Sequence, residues 1–178
     1  MKKDFNKALF FVIDILNKEK INYFVFGSSS LKIRELKRTA NDIDIFIFYK
    51  DLKKIDNILS NNKEITFNSK NYKSDVGGRF DLQLFGTEID IMAFKSNSED
   101  KLALSVLKDP KLRETIIYKK KKVILVKLGM LLKMYRYIYL LRGEKKYLKR
   151  IGFLEKLTKK GYTLPKTFFF WEKLPIPL

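Results

Sequence analysis

Apolar residues at Phe5, Leu9, Val12, Ile13 and Leu16 recur at intervals of three and four, which predicts an amphipathic helix between Lys3 and Lys20. The pattern then tightens into Ile21–Phe26, a short run with strong strand propensity that ends at Gly27. Gly27-Ser28-Ser29-Ser30 follows, and a helical segment from Leu31 to Leu36 is expected after it. Asn41-Asp42-Ile43-Asp44-Ile45-Phe46-Ile47-Phe48 alternates with a period of two. Asp42 and Asp44 therefore share one face of a strand with Phe46 and Phe48, while the isoleucines take the other. Phenylalanines on the acidic face predict a strand covered on both sides.

Asp51 is placed to cap a helix through Leu59, with Ile55, Ile58 and Leu59 inward and Asn61-Asn62 ending it. Lys63–Asn68 alternates as a strand, and Ser69–Gly78 reads as a polar loop with a flexible Gly77-Gly78 tip. Arg79–Phe85 and Thr87–Phe94 predict a tight hairpin about Gly86. A polar turn and a short helix are expected between Ser96 and Pro110, then a last hairpin around Lys119–Lys122. Residues 127–141 and 144–157 read as two helices broken at Gly143, followed by an aromatic cluster at Phe168–Trp171. The pattern divides the chain at 126/127 into a mixed strand-and-helix region, 1–126, and a helical region, 127–178.

Composition narrows the chemistry. With no Cys and no His among 178 residues, disulfides, the usual zinc sites and imidazole- or thiol-based nucleophile systems are excluded. Catalysis is left to carboxylates, hydroxyls, lysines and bound metal. No run approaches a membrane span and no signal peptide is expected, so the expectation is a cytoplasmic protein without a membrane partner. The net charge of +18 favours polyanionic partners, nucleic acid first. Between Lys119 and Lys160 fifteen Lys and Arg face two acids, a local charge of +13, with Tyr135, Tyr137, Tyr139 and Tyr147 interleaved. Such a surface suits single-stranded RNA, although tyrosines at every second helical position spread around the helix and half or more belong to packing.

Two partly buried carboxylates side by side repel unless a cation stands between them, and Asp42 and Asp44 suit Mg²⁺, a hard ion that favours oxygen ligands. Asp90, alternating with Ile89 and Ile91, is the candidate third acid, with Asp81 as the alternative; an edge-strand residue facing water is the plainer reading of Asp90. Gly27 and Ser28 could cradle a phosphate, or the serines could merely cap a helix. For Arg34, Lys37 and Arg38 the plain reading is a solvated helix face.

Taken in order, a strand ending at Gly27-Ser28, then Asp42-Ile43-Asp44, then Asp90 resembles the signature of the nucleotidyltransferase superfamily that includes polymerase beta. Arg38-Thr39-Ala40-Asn41-Asp42-Ile43-Asp44-Ile45 is most similar to the form in small prokaryotic members, the minimal and abortive-infection-type nucleotidyltransferases. The resemblance covers roughly residues 20–94 and extends more loosely to Lys133 and Arg142–Tyr147, where Tyr147 stands in place of a common acid. It implies an α+β fold, a mixed β-sheet with flanking helices, and a basic C-terminal helical subdomain. It implies that Asp42, Asp44 and Asp90 are catalytic and bind two Mg²⁺ ions, or Mn²⁺, about 4 Å apart. Gly27, Ser28 and Lys133 are implied to bind the nucleotide, an NTP such as ATP. The implied reaction moves a nucleoside monophosphate from the NTP to a hydroxyl. The acceptor expected from charge is an RNA end, tRNA-like, in a toxin-antitoxin setting, with a partner protein's hydroxyl second and an aminoglycoside third. A silent nucleotidyltransferase-like module that binds nucleic acid is the competing expectation, and a scaffold docking through Phe168–Trp171 a third.

Overall fold

Among the described residues seven strands form one mixed sheet around which the helices of the first unit are arranged. The structure is a computed structural model that describes residues 3–74, 77–95 and 100–159. The chain divides into two compact units, Met1–Val126 and Lys127–Leu178.

In the first unit α1 (Phe5–Lys18) precedes β1 (Tyr23–Phe26), α2 (Gly27–Ile33) and β2 (Asp42–Phe48). α3 (Leu52–Ser60), β3 (Ile65–Ser74), β4 (Gly77–Leu84), β5 (Thr87–Phe94), α4 (Lys101–Lys108), β6 (Arg113–Tyr118) and β7 (Lys121–Val126) complete it. The strand order is β3-β4-β5-β2-β1-β7-β6. β2 runs antiparallel to β1 and parallel to β5, so the acidic strand lies inside the sheet with a neighbour on each side. β1 pairs in parallel with β7, whereas the consecutive pairs β3/β4, β4/β5 and β6/β7 are antiparallel.

One face of the sheet holds the main core. Leu9, Val12, Ile13 and Leu16 of α1 pack with Leu52, Ile55 and Leu59 of α3 against Val25, Ile43, Ile45, Ile47, Ile89 and Ile91. Asp4 caps α1, its carboxylate accepting from the Lys7 amide at 3.0 Å. The opposite face carries Phe24, Phe26, Phe46 and Phe94, whose rings lie 4.9–5.0 Å from Phe46, and α4 packs against β1 and β2. The sheet is thus covered on both sides, as the phenylalanines of β2 predict.

Two expectations need correction. The helix after β1 does not wait for Leu31: it starts at Gly27, and the three serines form its first turns. Residues expected to be a polar loop from Ser69 continue β3 to Ser74, and Gly77-Gly78 open β4 rather than forming a flexible tip. Neither glycine has room for a side chain. A Cβ on Gly77 would lie 1.8 Å from the Ala93 carbonyl oxygen, and one on Gly78 would lie 2.3 Å from Leu52 Cδ2. The β4/β5 and β6/β7 hairpins each turn on two residues with positive φ, Phe85 (49°) with Gly86 (68°) and Lys119 (46°) with Lys120 (70°), the geometry that matches strand twist.

The second unit contains α5 (Leu128–Arg142) and α6 (Lys145–Lys159), separated at Gly143, which caps α5 in the left-handed conformation at φ 65°. Tyr135 and Tyr147 are buried with ring centroids 6.0 Å apart. The Arg150 guanidinium lies over both rings, at 5.4 and 5.6 Å. These two tyrosines are therefore packing residues. Phe168–Trp171 lie outside the described residues.

Candidate active site

The leading ends of β2 and β5 bring the predicted acids to one face. Asp44 lies opposite Asp90 in parallel register, and Asp42 opposite Glu88. On the far side of β5, Asp81 of β4 lies opposite Asp90. The face therefore carries Asp42, Asp44, Asp81, Glu88 and Asp90 on three adjacent strands.

α2 fixes the other side of the site. Gly27 has φ +69°, and a Cβ built on it would lie 1.9 Å from Asp44 Oδ2 and 3.0 Å from Asp44 Cγ. The Asp44 carboxylate thus lies in the space that a side chain at position 27 would fill. Ser28 donates to Asp42 Oδ1 at 3.2 Å. Ser29 and Ser30 are fully buried and turn back to the chain, donating to the Phe26 carbonyl at 2.7 Å and the Gly27 carbonyl at 2.8 Å. Ser29 also accepts from the Asp44 amide at 3.4 Å. Gly27 and Ser28 consequently touch the two carboxylates, while the next two serines serve the local fold.

Arg34 follows α2. Its side chain is 6% exposed and its guanidinium meets Glu114 at 2.5 Å, the Ser30 carbonyl at 2.9 Å, and the Val126 carbonyl. It ties the helix to β6 and β7 rather than lying on a solvated face.

Arg79 is the residue that sequence reasoning missed. Its Nε donates to Asp90 Oδ1 at 2.8 Å and its terminal nitrogen meets Asp90 Oδ2 at 2.8 Å, a two-pronged pair. Burial, the largest influence, pushes the Asp90 carboxyl above its ordinary value; Arg79 pulls against it, and negative Asp81 and Asp42 reinforce it. Burial likewise works against the Arg79 charge, but Asp90, Asp81 and Asp44 outweigh it and hold the guanidinium more basic than usual. Asp81 accepts from the Asn68 side chain at 3.2 Å.

Among the described residues, no three carboxylates gather closely enough to hold a metal ion as a group. Asp42 and Asp44 nonetheless fit one Mg²⁺, which commonly takes one or two carboxylates and completes its shell with water and substrate phosphates. Lys133 lies within α5, half-buried, in the second unit.

No protein-family model matches the chain, and no curated protein matches its sequence. Solved structures do. A candidate nucleotidyltransferase of Thermotoga maritima superposes with a TM-score of 0.58 at 18% identity, over 83% of this chain and 92% of that one. The fold is that of the nucleotidyltransferases. The same nucleotidyltransferase fold links the chain to the lincosamide antibiotic adenylyltransferase LnuA, solved with lincomycin bound (TM-score 0.57, 16% identity, 86% of this chain and 98% of that one). It also links it to ANT(2'')-Ia, solved with adenylyl-2''-tobramycin (TM-score 0.58, 10% identity, 83% and 86%). At these identities it is the fold that is shared.

Proposed function

We propose that the chain is a metal-dependent nucleotidyltransferase that moves a nucleoside monophosphate from an NTP to a hydroxyl. The observation that carries this reading is the fit of Asp44 against the bare backbone of Gly27, with Asp42 held by Ser28. Two motifs separated by thirteen residues meet there.

In the reaction the acceptor oxygen forms a bond to the α-phosphorus of the NTP. The bond from that phosphorus to the bridging oxygen breaks, its electron pair leaves with pyrophosphate, and the hydroxyl proton passes to solvent. Asp42 and Asp44 would hold Mg²⁺, or Mn²⁺ in its place. When bound, the ion offsets phosphate charge and lowers the barrier electrostatically. Ser28 keeps Asp42 oriented, and Gly27 leaves the space into which the Asp44 carboxylate is set. Transfer of this kind rests on positioning and charge neutralisation, so a chain without His or Cys is suited to it. Lys133 is the candidate for a further contact to the NTP phosphates.

The charge of +18 favours an RNA end as acceptor over a cationic drug of the tobramycin type. A toxin-antitoxin role is the biological setting that the small prokaryotic resemblance suggests, and cytoplasmic location goes with it. Incubation with each α-labelled NTP, Mg²⁺ and total RNA tests the proposal. Label should enter RNA and be lost in Asp44→Asn, while the variant keeps its melting temperature. Label on protein instead would reject the RNA acceptor, and no transfer to any acceptor would reject the enzyme.

A further inference from the structure

We infer that Arg79 takes the place of a second cation, so that the chain loads a single divalent ion, on Asp42 and Asp44, together with its nucleotide. This rests on the nucleotidyltransferase reading above and makes it more specific. Three observations support it.

The first is occupancy. Both Asp90 oxygens are engaged by Arg79 at 2.8 Å, and Asp90 is the carboxylate in register with Asp44. An ion that used Asp90 would have to break a two-pronged, charge-assisted pair held at a side chain 15% exposed. Mg²⁺ sheds its water reluctantly and gains little from such an exchange. The second is permanence. A guanidinium keeps its charge at any working pH, so Arg79 does not vacate the site by titration.

The third is charge. Arg79 lies in the field of Asp44, Asp81 and Asp90 together. One guanidinium and one divalent ion bring three positive charges to a face that carries the five carboxylates of Asp42, Asp44, Asp81, Glu88 and Asp90. Arg79 already brings to Asp90 and Asp81 positive charge of the kind a second ion would supply there.

Crystals of the full chain soaked with Mn²⁺ and a non-hydrolysable ATP analogue provide the test, with anomalous diffraction counting and locating the ions. One Mn²⁺ per chain, against Asp42 and Asp44, is expected in the wild type. Arg79→Gln should raise the count to two, with the added ion on Asp90, and combining it with Asp90→Asn should return the count to one. The Arg79 side chain is 56% exposed, so its replacement leaves the core intact. Two ions in the wild type with Asp90 as a ligand would overturn the inference and leave the nucleotidyltransferase reading standing. A single ion in both wild type and Arg79→Gln would remove Arg79 as the cause and overturn it as well. No ion on Asp42 and Asp44 in any variant would overturn both.

Discussion

Gly27→Ala separates the two jobs that this glycine performs. The first is conformational: at φ +69° an L-residue pays about 1–2 kcal/mol for the left-handed region. The second is spatial, because the new methyl would stand 1.9 Å from Asp44 Oδ2 and must displace the carboxylate. Forcing a methyl into a filled space adds about 1–3 kcal/mol where the neighbour cannot yield. In an Asp44→Ala background the nearest remaining atom is Cβ at 3.6 Å, ordinary van der Waals contact, so the spatial part vanishes and the conformational part persists. The double-mutant cycle in urea should therefore show a coupling of roughly 0.5–3 kcal/mol between positions 27 and 44. If the carboxylate instead swings aside cheaply, the coupling moves to ligand binding. Mg·ATP affinity, measured by calorimetry, should then fall at least tenfold, about 1.4 kcal/mol, in Gly27→Ala. It should fall no further when Asp44→Ala is added. Equal costs of Gly27→Ala in both backgrounds, with unchanged Mg·ATP affinity in the single variant, would refute the reasoning and leave Gly27 a turn residue only.

Arg34→Ala should cost about 3 kcal/mol in urea unfolding, the low end for a broken buried pair, because Glu114 is 37% exposed and can be rehydrated. Glu114→Ala should cost at least as much, since it leaves a guanidinium buried. Burial pushes the Tyr23 hydroxyl above its ordinary 10.0, so above that pH the folded state retains a proton that the unfolded state has lost, and stability falls as pH rises. Tyr23→Phe should accordingly lose less melting temperature than the wild type between pH 7 and pH 10.5. If RNA is the acceptor and binds through α6, replacing exposed Lys145 and Lys149 by Gln should flatten the plot of log affinity against log salt by about 1.4 units, as two lost single-strand phosphate contacts require. An unchanged slope would place the RNA elsewhere.

Much of the fold was legible because its signals are local. The spacing of Phe5, Leu9, Val12, Ile13 and Leu16 sets the buried face of α1, and the alternation in residues 42–48 sets which side of β2 is acidic. Gly143 marked the break between α5 and α6 because a left-handed cap has one cheap occupant. Ser28-Ser29-Ser30 misled for a physical reason. Serines before a helix ordinarily cap it, whereas here the glycine before them already has the φ that starts the turn, and the hydroxyls of Ser29 and Ser30 satisfy backbone carbonyls inside it. The second half of β3 escaped notice because Ser69, Lys70 and Asn71 are paired by β4 through backbone bonds to which their side chains contribute little.

Arg79 was passed over although it opens a predicted strand, and the signal that would have exposed it was in the chain. A two-residue turn at Phe85-Gly86 pairs Leu84 with Thr87, and a hairpin without a bulge then carries the register inward pair by pair. Asp81 must meet Asp90, and Arg79 must meet Met92, one diagonal step from Asp90 on the same face. An arginine at that diagonal can reach a carboxylate that has little water around it, so the salt bridge follows from turn length and alternation alone. What cannot be read that way is that β4 continues past Arg79 through Gly78 and Gly77, since glycines weaken a strand on propensity. They are tolerated because the Ala93 carbonyl and the Leu52 side chain leave no space for anything larger. The third acid's partner is thus decided by two glycines on another strand. A side chain at Gly78 that pushed β4 away should release Asp90 along with it, and Gly78→Val is expected to raise the Mn²⁺ count as Arg79→Gln does.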